Sequence, residues 1–249
     1  MYFTNELLHY YRLEEVACSK GVRSVLSAIV EEQIAYFKDT TPMLPRNRIL
    51  LTGERGNGKV FLTKAVATEL ERQVIKIRCD SNLVSSFQEE LKRLYQTIIS
   101  SYGPKVILLF EDLSEIAMNS GIREFIMSLP AETVVVATSI DSSESLKMLD
   151  SFQVALTIEP PEVATIVEMI NLHNMHVRIL GNPRFLITSD LNWYAKQISM
   201  VCNSFACIHD FLKTVVRKVA LSKEQISMHD GISLTLCEYK AMSFKKVGC

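Results

Sequence analysis

No charge of one sign dominates this sequence: its 249 residues carry 27 Lys and Arg against 28 Asp and Glu. A chain that lives on nucleic-acid phosphates would show a basic excess, so that class of function is disfavoured. Apolar runs are short, and none reaches the roughly 18 residues that would span a bilayer. The opening segment MYFTNELLHYYRLEEV scatters Asn5, Glu6, His9 and Arg12 where a signal peptide would need an unbroken apolar stretch. No Cys-x-x-Cys occurs, and no internal repeat or low-complexity tract is present. Six cysteines spread over a chain this long do not imply a disulfide framework without a secretory signal. A zinc site could be imagined from His173, His176, Cys207 and His209, but Cys202 and Cys207 have a poor metal spacing. Reduced core thiols and ordinary helix histidines are the expectation, in a cytosolic or cytosol-facing protein. What is present is a 48% hydrophobic share with 22% charged residues, which excludes a disordered chain. The length suits one large domain, or a domain with a smaller satellite.

From Leu13 to Phe37, Val16, Val22, Leu26, Ile29, Val30 and Ile34 recur at helical steps, and Pro42 and Pro45 then break the chain. Five short runs follow: Ile49–Leu51, Val74–Ile77, Val106–Phe110, Val134–Ala137 and Val154–Ile158. They are mostly apolar on both faces, the mark of parallel strands covered by helices. Lys59–Glu71, Phe87–Ser100 and Gly121–Ser128 can supply the crossover helices. After Pro160-Pro161 the pattern turns helical, over Glu162–Leu172, Asp190–Met200, Phe205–Leu221 and Cys237–Phe244, apart from a short β-like stretch near Ile232. Ser189 or Asp190 is the expected cap of the second of these. The fold class is therefore α/β, a five-stranded parallel sheet with a C-terminal all-helical part. The expected divisions are an N-terminal helix and linker over 1–45, the α/β core over 46–160 and the helical part over 161–249.

Directly after the first strand comes Gly53-Glu54-Arg55-Gly56-Asn57-Gly58-Lys59-Val60, and then a helix. Glycines let backbone N–H groups curl around a phosphate, and the helix N-terminus adds a favourable dipole. Lys59 would reach the β- and γ-phosphates. Gly53, Gly56, Asn57, Gly58, Lys59 and Val60 are thus the candidate ATP-binding residues. The position after the lysine should be Ser or Thr, whose hydroxyl ligates Mg²⁺. Val60 cannot coordinate a metal, and Thr63 lies a turn too far along. Phosphate binding survives this change, whereas metal-assisted chemistry is weakened.

The second nucleotide element is an apolar strand ending in acids, Val106 to Phe110 followed by Glu111-Asp112. The usual order is Asp then Glu, the first supporting Mg²⁺ and the second polarising water. Here the order is reversed, so Glu111 would take the metal role and Asp112 the water role. An alternative register puts Asp112 on the metal and Leu113 where the base belongs. In either register the geometry shifts, and errors near 1 Å can cost about 100-fold in rate. A third element is the strand Val134–Ala137, followed by Thr138-Ser139-Ile140. Ser139 is a candidate nucleotide contact at its end.

These elements, in this order and at these distances, resemble the AAA family of ATPases from about Leu13 onward. The segments Ile77-Arg78-Cys79-Asp80, Leu113-Ser114-Glu115-Ile116-Ala117, Asp190-Leu191 through Lys196 with His209-Asp210-Phe211, and Leu234 to Ala241 are similar to its peroxisome-biogenesis branch. The resemblance implies a helical lid for the C-terminal part, and places the strand Val134–Ala137 between the phosphate-loop strand and the acidic strand. It also implies ATP with weakened Mg²⁺, ring neighbours in a mixed hexamer, and a protein substrate or import receptor at the cytosolic face of peroxisomes. Nothing in it implies nucleic-acid binding or direct membrane insertion.

Three departures accompany the likeness. Ile140 stands where the family often has a water-orienting Asn. No Arg occurs between Ile140 and Thr157, where an arginine finger would be carried, and such a loss can cost about 10³–10⁵ in turnover. The Gly-flanked aromatic pore triplet is absent, Phe87 being the local aromatic. The peroxisomal proteins have a second cassette, which this sequence lacks, so the chain is expected to be either a fragment or a degenerate paralogue. A hydrolysis-poor AAA module is the expected function. The alternatives are an active AAA ATPase that remodels proteins and a small P-loop metabolite kinase. The kinase would need an Arg-rich lid. Lys213, Arg217, Lys218 and Lys223 read as a solvated helix face.

Overall fold

Runs of Val, Ile and Leu too short for helices find their backbone partners in each other, and in the computed structural model they line up as one sheet. Residues 2–6, 11–78, 87–113, 120–140 and 150–247 are described. The chain divides into two units, the first comprising Met1–Glu14 and Lys20–Glu159, the second Glu15–Ser19 and Pro160–Cys249.

In the first unit the strands are β1 (Tyr2–Glu6), β2 (Arg48–Thr52), β3 (Gln73–Arg78), β4 (Val106–Phe110), β5 (Val134–Ser139) and β6 (Val154–Thr157). Their spatial order is β1-β3-β4-β5-β2-β6. The five strands from β3 to β6 run parallel, as the sequence pattern requires. The strand β5 lies between β4 and β2, the placement the resemblance implied. The helices are α1 (Lys20–Phe37), α2 (Lys59–Glu69), α3 (Phe87–Tyr102) and α4 (Ser120–Ser128). Every residue of β4 and β5 is buried. Leu91, Ile98, Ile122 and Phe125 pack with them around Leu108 and Phe110. A large apolar side chain buried this completely contributes about 1.5–3 kcal/mol.

Two differences from the sequence pattern concern the N-terminal segment. Residues 2–6 form a strand that adds antiparallel to β3, Tyr2 opposite Arg78 and Glu6 opposite Val74. Tyr, Phe and Thr favour strands, but so short a run becomes one only when an open sheet edge receives it. The first helix begins at Lys20, with only a 3₁₀ turn at Leu13–Glu15 before it. Val16, Ala17 and Cys18 are buried in succession, which one stripe of an α-helix cannot accomplish. The stretch Glu15–Ser19 belongs with the second unit.

At the N-terminal ends of the strands, polar side chains brace the unit. Arg72 is buried and donates to Glu132 O at 3.0 Å and to Gln33 Oε1 at 2.9 Å. Burial pulls its guanidinium down to about 10, with Glu132 acting in the opposite sense. Asn47 Nδ2 donates to the carbonyls of Pro130 and Thr133. These struts leave the opposite edge of the sheet, at the C-terminal ends of the strands, to the loops that carry chemistry.

The second unit contains α5 (Val163–Ile179), α6 (Leu191–Ser199), α7 (Phe205–Leu221) and α8 (Met228–Val247). Ile166, Ile170, Ile198, Phe211, Val215 and Ile232 share its core. Asp190 is the cap of α6, its Oδ1 accepting from Trp193 N at 3.1 Å. The β-like stretch near Ile232 is helical instead, because α8 starts nine residues earlier than its expected start at Cys237. Ile232, Leu236 and Tyr239 recur at helical steps on the side facing this core. Gly231 concealed that pattern, and close helix approach explains it: a Cβ there would lie 2.8 Å from Val219 Cγ2 on α7. No helix among the described residues is long and apolar enough to cross a membrane.

Candidate functional site

The register across the sheet fixes where the loops emerge. Leu51 pairs with Thr138 and Thr52 with Ser139, while Phe110 pairs with Ala137. The residues that follow β2 and β4 therefore leave the sheet along the same edge. Gly53 follows β2, and Glu111-Asp112 follow β4.

Three glycines allow the loop after β2 to curl. Gly53, Gly56 and Gly58 all have left-handed φ, at 130°, 85° and 84°. The loop rests on the end of β6, where Ile158 N donates to Thr52 O at 2.8 Å and Asn57 Nδ2 donates to Ile158 O at 3.0 Å. Thr52 and Thr157 hydroxyls meet at 3.0 Å beneath it. Gly58 caps α2 without any side-chain hydrogen bond to the first turn. The N–H groups at that end are therefore not capped by a side chain, an arrangement suited to an anion. Asn57 is buried, and its Oδ1 has no hydrogen-bond partner. As an acceptor it would be satisfied by an N–H or hydroxyl group, not by a phosphate.

Lys59, the first residue of α2, folds back over the loop. Its ammonium donates to the carbonyls of Gly53 and Glu54, the latter at 2.8 Å, and only 7% of the residue is exposed. Burial pulls its pKa below the ordinary lysine value; Asp112 works against that shift and Arg55 adds to it. Val60 follows with no metal-binding atom. Thr63 Oγ1 donates to Lys59 O at 3.0 Å, so its hydroxyl is turned back onto its own helix.

The two acids after β4 part company. Glu111 forms an ion pair with Lys76 of β3 at 2.6 Å, with side-chain exposures of 24% and 12%. Asp112 has a left-handed φ of 49°, and its N–H donates to Thr138 Oγ1 at 3.1 Å. Its carboxylate reaches the phosphate loop and accepts from Arg55 at 3.1 Å. Asp112 is thus the acid that lies toward the loop, and Glu111 the one turned to β3. Ser139 is buried at the end of β5, level with Thr52, and Ile140 beyond it is partly exposed.

Residues 49–141 match the family model of the ATPase family associated with various cellular activities (AAA). The match runs from β2 to just past β5. No curated protein sequence matches it. An AAA domain binds ATP, and the geometry suits that group: a glycine-formed cradle, an uncapped helix N-terminus and a lysine at the loop. Such domains generally assemble into rings and act on proteins.

The AAA domain's usual Mg²⁺ does not fit the side chains present. Val60 offers no oxygen, Thr63 is turned onto Lys59 O, Glu111 is paired with Lys76, and Asp112 is paired with Arg55. Among the described residues, no group of three or more His, Cys, Asp or Glu could hold a metal ion. In the helical unit, His173 Nε2 lies 3.1 Å from Phe185 O, and Cys207 Sγ lies 2.7 Å from Cys202 Sγ. Lys218, read as part of a solvated face, is paired with Glu238 at 2.6 Å.

Sequence reasoning missed three participants in the candidate site: Arg55, Lys76 and Ile158. Lys76 carried a signal, as the one charge inside the run Val74–Ile77. Arg55 stood in the motif itself, at a position where the motif specifies nothing. Ile158 acts through its backbone carbonyl and left no trace in the pattern. The segments at 79–86, 114–119 and 141–149 lie outside the described residues. They include Cys79-Asp80, Ser114 to Ala117 and the stretch Leu146 to Leu149 in the region without arginine.

Proposed function

We propose that this chain is a hydrolysis-poor ATP-binding AAA module that serves as a structural or regulatory part of a ring. One observation carries the reading: the lysine and glycines of the phosphate loop are complete, while Val60 offers no metal-binding oxygen and Glu111 is held in a mostly buried pair with Lys76. Gly53, Gly56, Gly58 and Lys59 would hold the triphosphate, with Asn57, Val60 and Ser139 lining the site. Bound ATP supplies a polyanion able to draw Lys59 and Arg55 together at the loop. Asp112 is the acid best placed to act on a nucleotide, and Glu111 a supporting residue whose charge balances Lys76. No step through Mg²⁺ is assigned, because the donors it requires are missing.

The biological setting proposed is peroxisomal import. The segments quoted for that branch look most like the first ATPase cassette of peroxin-one, with peroxin-six the next in likeness. There the module would join a mixed hexamer with a catalytically active neighbour and help extract the import receptor. Divisions at 46–160 for the core and 161–249 for the lid go with this reading. An active protein-remodelling ATPase is the second reading, favoured by Asp112 lying at the loop in a pair exposed enough to break.

Purification of the full chain from cells under native conditions tests the setting. A second AAA protein should be recovered in a fixed ratio together with a peroxisomal import receptor. Recovery of the chain alone, or with another AAA system, would remove the peroxisomal assignment.

A further inference from the structure

Arg55 has no assigned part in a phosphate loop, yet its side chain meets the acid that follows β4. It lies between Gly53 and Gly56, and its guanidinium nitrogen is 3.1 Å from Asp112 Oδ2. The usual P-loop arrangement brings a divalent cation to the carboxylate after the acidic strand, helped by a hydroxyl next to the lysine. Here the hydroxyl is replaced by Val60, and the carboxylate that faces the loop already has a cation from the chain.

The two ion pairs at the site differ in how easily they open. Lys76 and Glu111 are mostly buried, with side-chain exposures of 12% and 24%, so separating them would strand charge in a poorly hydrated place. Arg55 and Asp112 are much more open, at 75% and 44%. A pair that exposed is weak and readily exchanged for a better partner. A triphosphate is such a partner. The planar guanidinium fork matches phosphate oxygens two at a time, whereas the Lys59 ammonium contributes a point charge. The backbone at Asp112 reinforces the arrangement. Its left-handed φ and its N–H bond to Thr138 Oγ1 hold the acid at the loop, where it can keep Arg55 in reach.

We propose that this loop binds a nucleoside triphosphate without a divalent cation, Arg55 moving from Asp112 to the phosphates and supplying there the positive charge that Mg²⁺ supplies elsewhere. The inference rests on the reading of the loop as an ATP site. It goes beyond that reading by removing the metal requirement and assigning its electrostatic part to a named side chain.

Calorimetry of the full chain with ATP, in EDTA and in excess Mg²⁺, tests it. The wild-type affinity should agree between the two conditions within about threefold, where a metal-dependent site would lose far more. Arg55→Ala should lower affinity in EDTA by about tenfold or more, the size expected for a lost charge-assisted hydrogen bond. Arg55→Lys should fall between them, because it keeps the charge and loses the fork. Arg55 is exposed, and an unchanged melting temperature for each variant would show that folding is intact. Adding Val60→Thr to Arg55→Ala should restore a dependence on Mg²⁺. Wild-type binding that collapses in EDTA, or Arg55→Ala binding as well as wild type there, would overturn the inference while leaving the ATP site in place. Absence of ATP binding under both conditions would overturn the ATP site as well.

Discussion

Lys59→Ala is expected to reduce ATP affinity by about 100-fold or more, roughly 3 kcal/mol, while leaving the chain folded. The size follows from where the ammonium sits. It is largely buried, and it donates to two loop carbonyls, those of Gly53 and Glu54, rather than projecting into solvent. Removing it deletes a buried positive charge at the loop and releases the tether to the Gly53 and Glu54 carbonyls. Arg55 cannot replace it, because its side chain approaches from the exposed side, toward Asp112. Lys59→Arg should restore charge but not the compact position against the Gly53 and Glu54 carbonyls, and so recover only part of the affinity. Titration calorimetry of the three proteins is the check. Affinity unchanged in Lys59→Ala would sink the assignment of the site.

Gly53→Ala should damage both the fold and the phosphate loop. At a φ of 130° an L side chain is strained, and the added Cβ would stand 2.3 Å from the carbonyl oxygen of Ile158. That oxygen belongs to backbone already bonded to Asn57 Nδ2, so it has little freedom to retreat. Strain and overlap together are expected to cost about 3 kcal/mol or more of stability. Relief by loop displacement would at the same time weaken ATP binding. Gly103→Ala is the natural comparison, since its φ is 76° but nothing lies within 4 Å of its Cβ position. It should cost about 1–2 kcal/mol through backbone strain alone and leave ATP binding unchanged. Thermal melts with ATP titrations separate the two effects. Equal losses for the two variants would mean that the Ile158 contact does not matter.

The contrast between Gly53 and Gly103 also shows what a sequence can and cannot convey. The parallel sheet was legible because Val106–Phe110 and Val134–Ala137 are apolar at every position, the pattern of strands buried on both faces. The phosphate loop was legible because its glycines and Lys59 stand at a fixed spacing between a strand and a helix. Other features depend on partners far along the chain. Residues 2–6 become a strand only through β3, and Val16 lies in a buried run whose partners are in the second unit. The start of α8 was obscured by Gly231, whose reason is a neighbouring Val219 twelve residues earlier. Within the site, the order Glu111-Asp112 admitted two registers. Lys76 and Arg55 hold one acid each, and neither belongs to the motif that brought the acids to notice.

The module proposed above holds ATP without efficiently hydrolysing it. The direct measurement is the fate of labelled ATP bound to the isolated full chain in the presence of Mg²⁺, separated from free nucleotide and resolved over time. Bound label should remain ATP for many minutes, with no build-up of ADP. Conversion to ADP at about 1 s⁻¹ or faster, within the range of ordinary enzymes, would contradict the account.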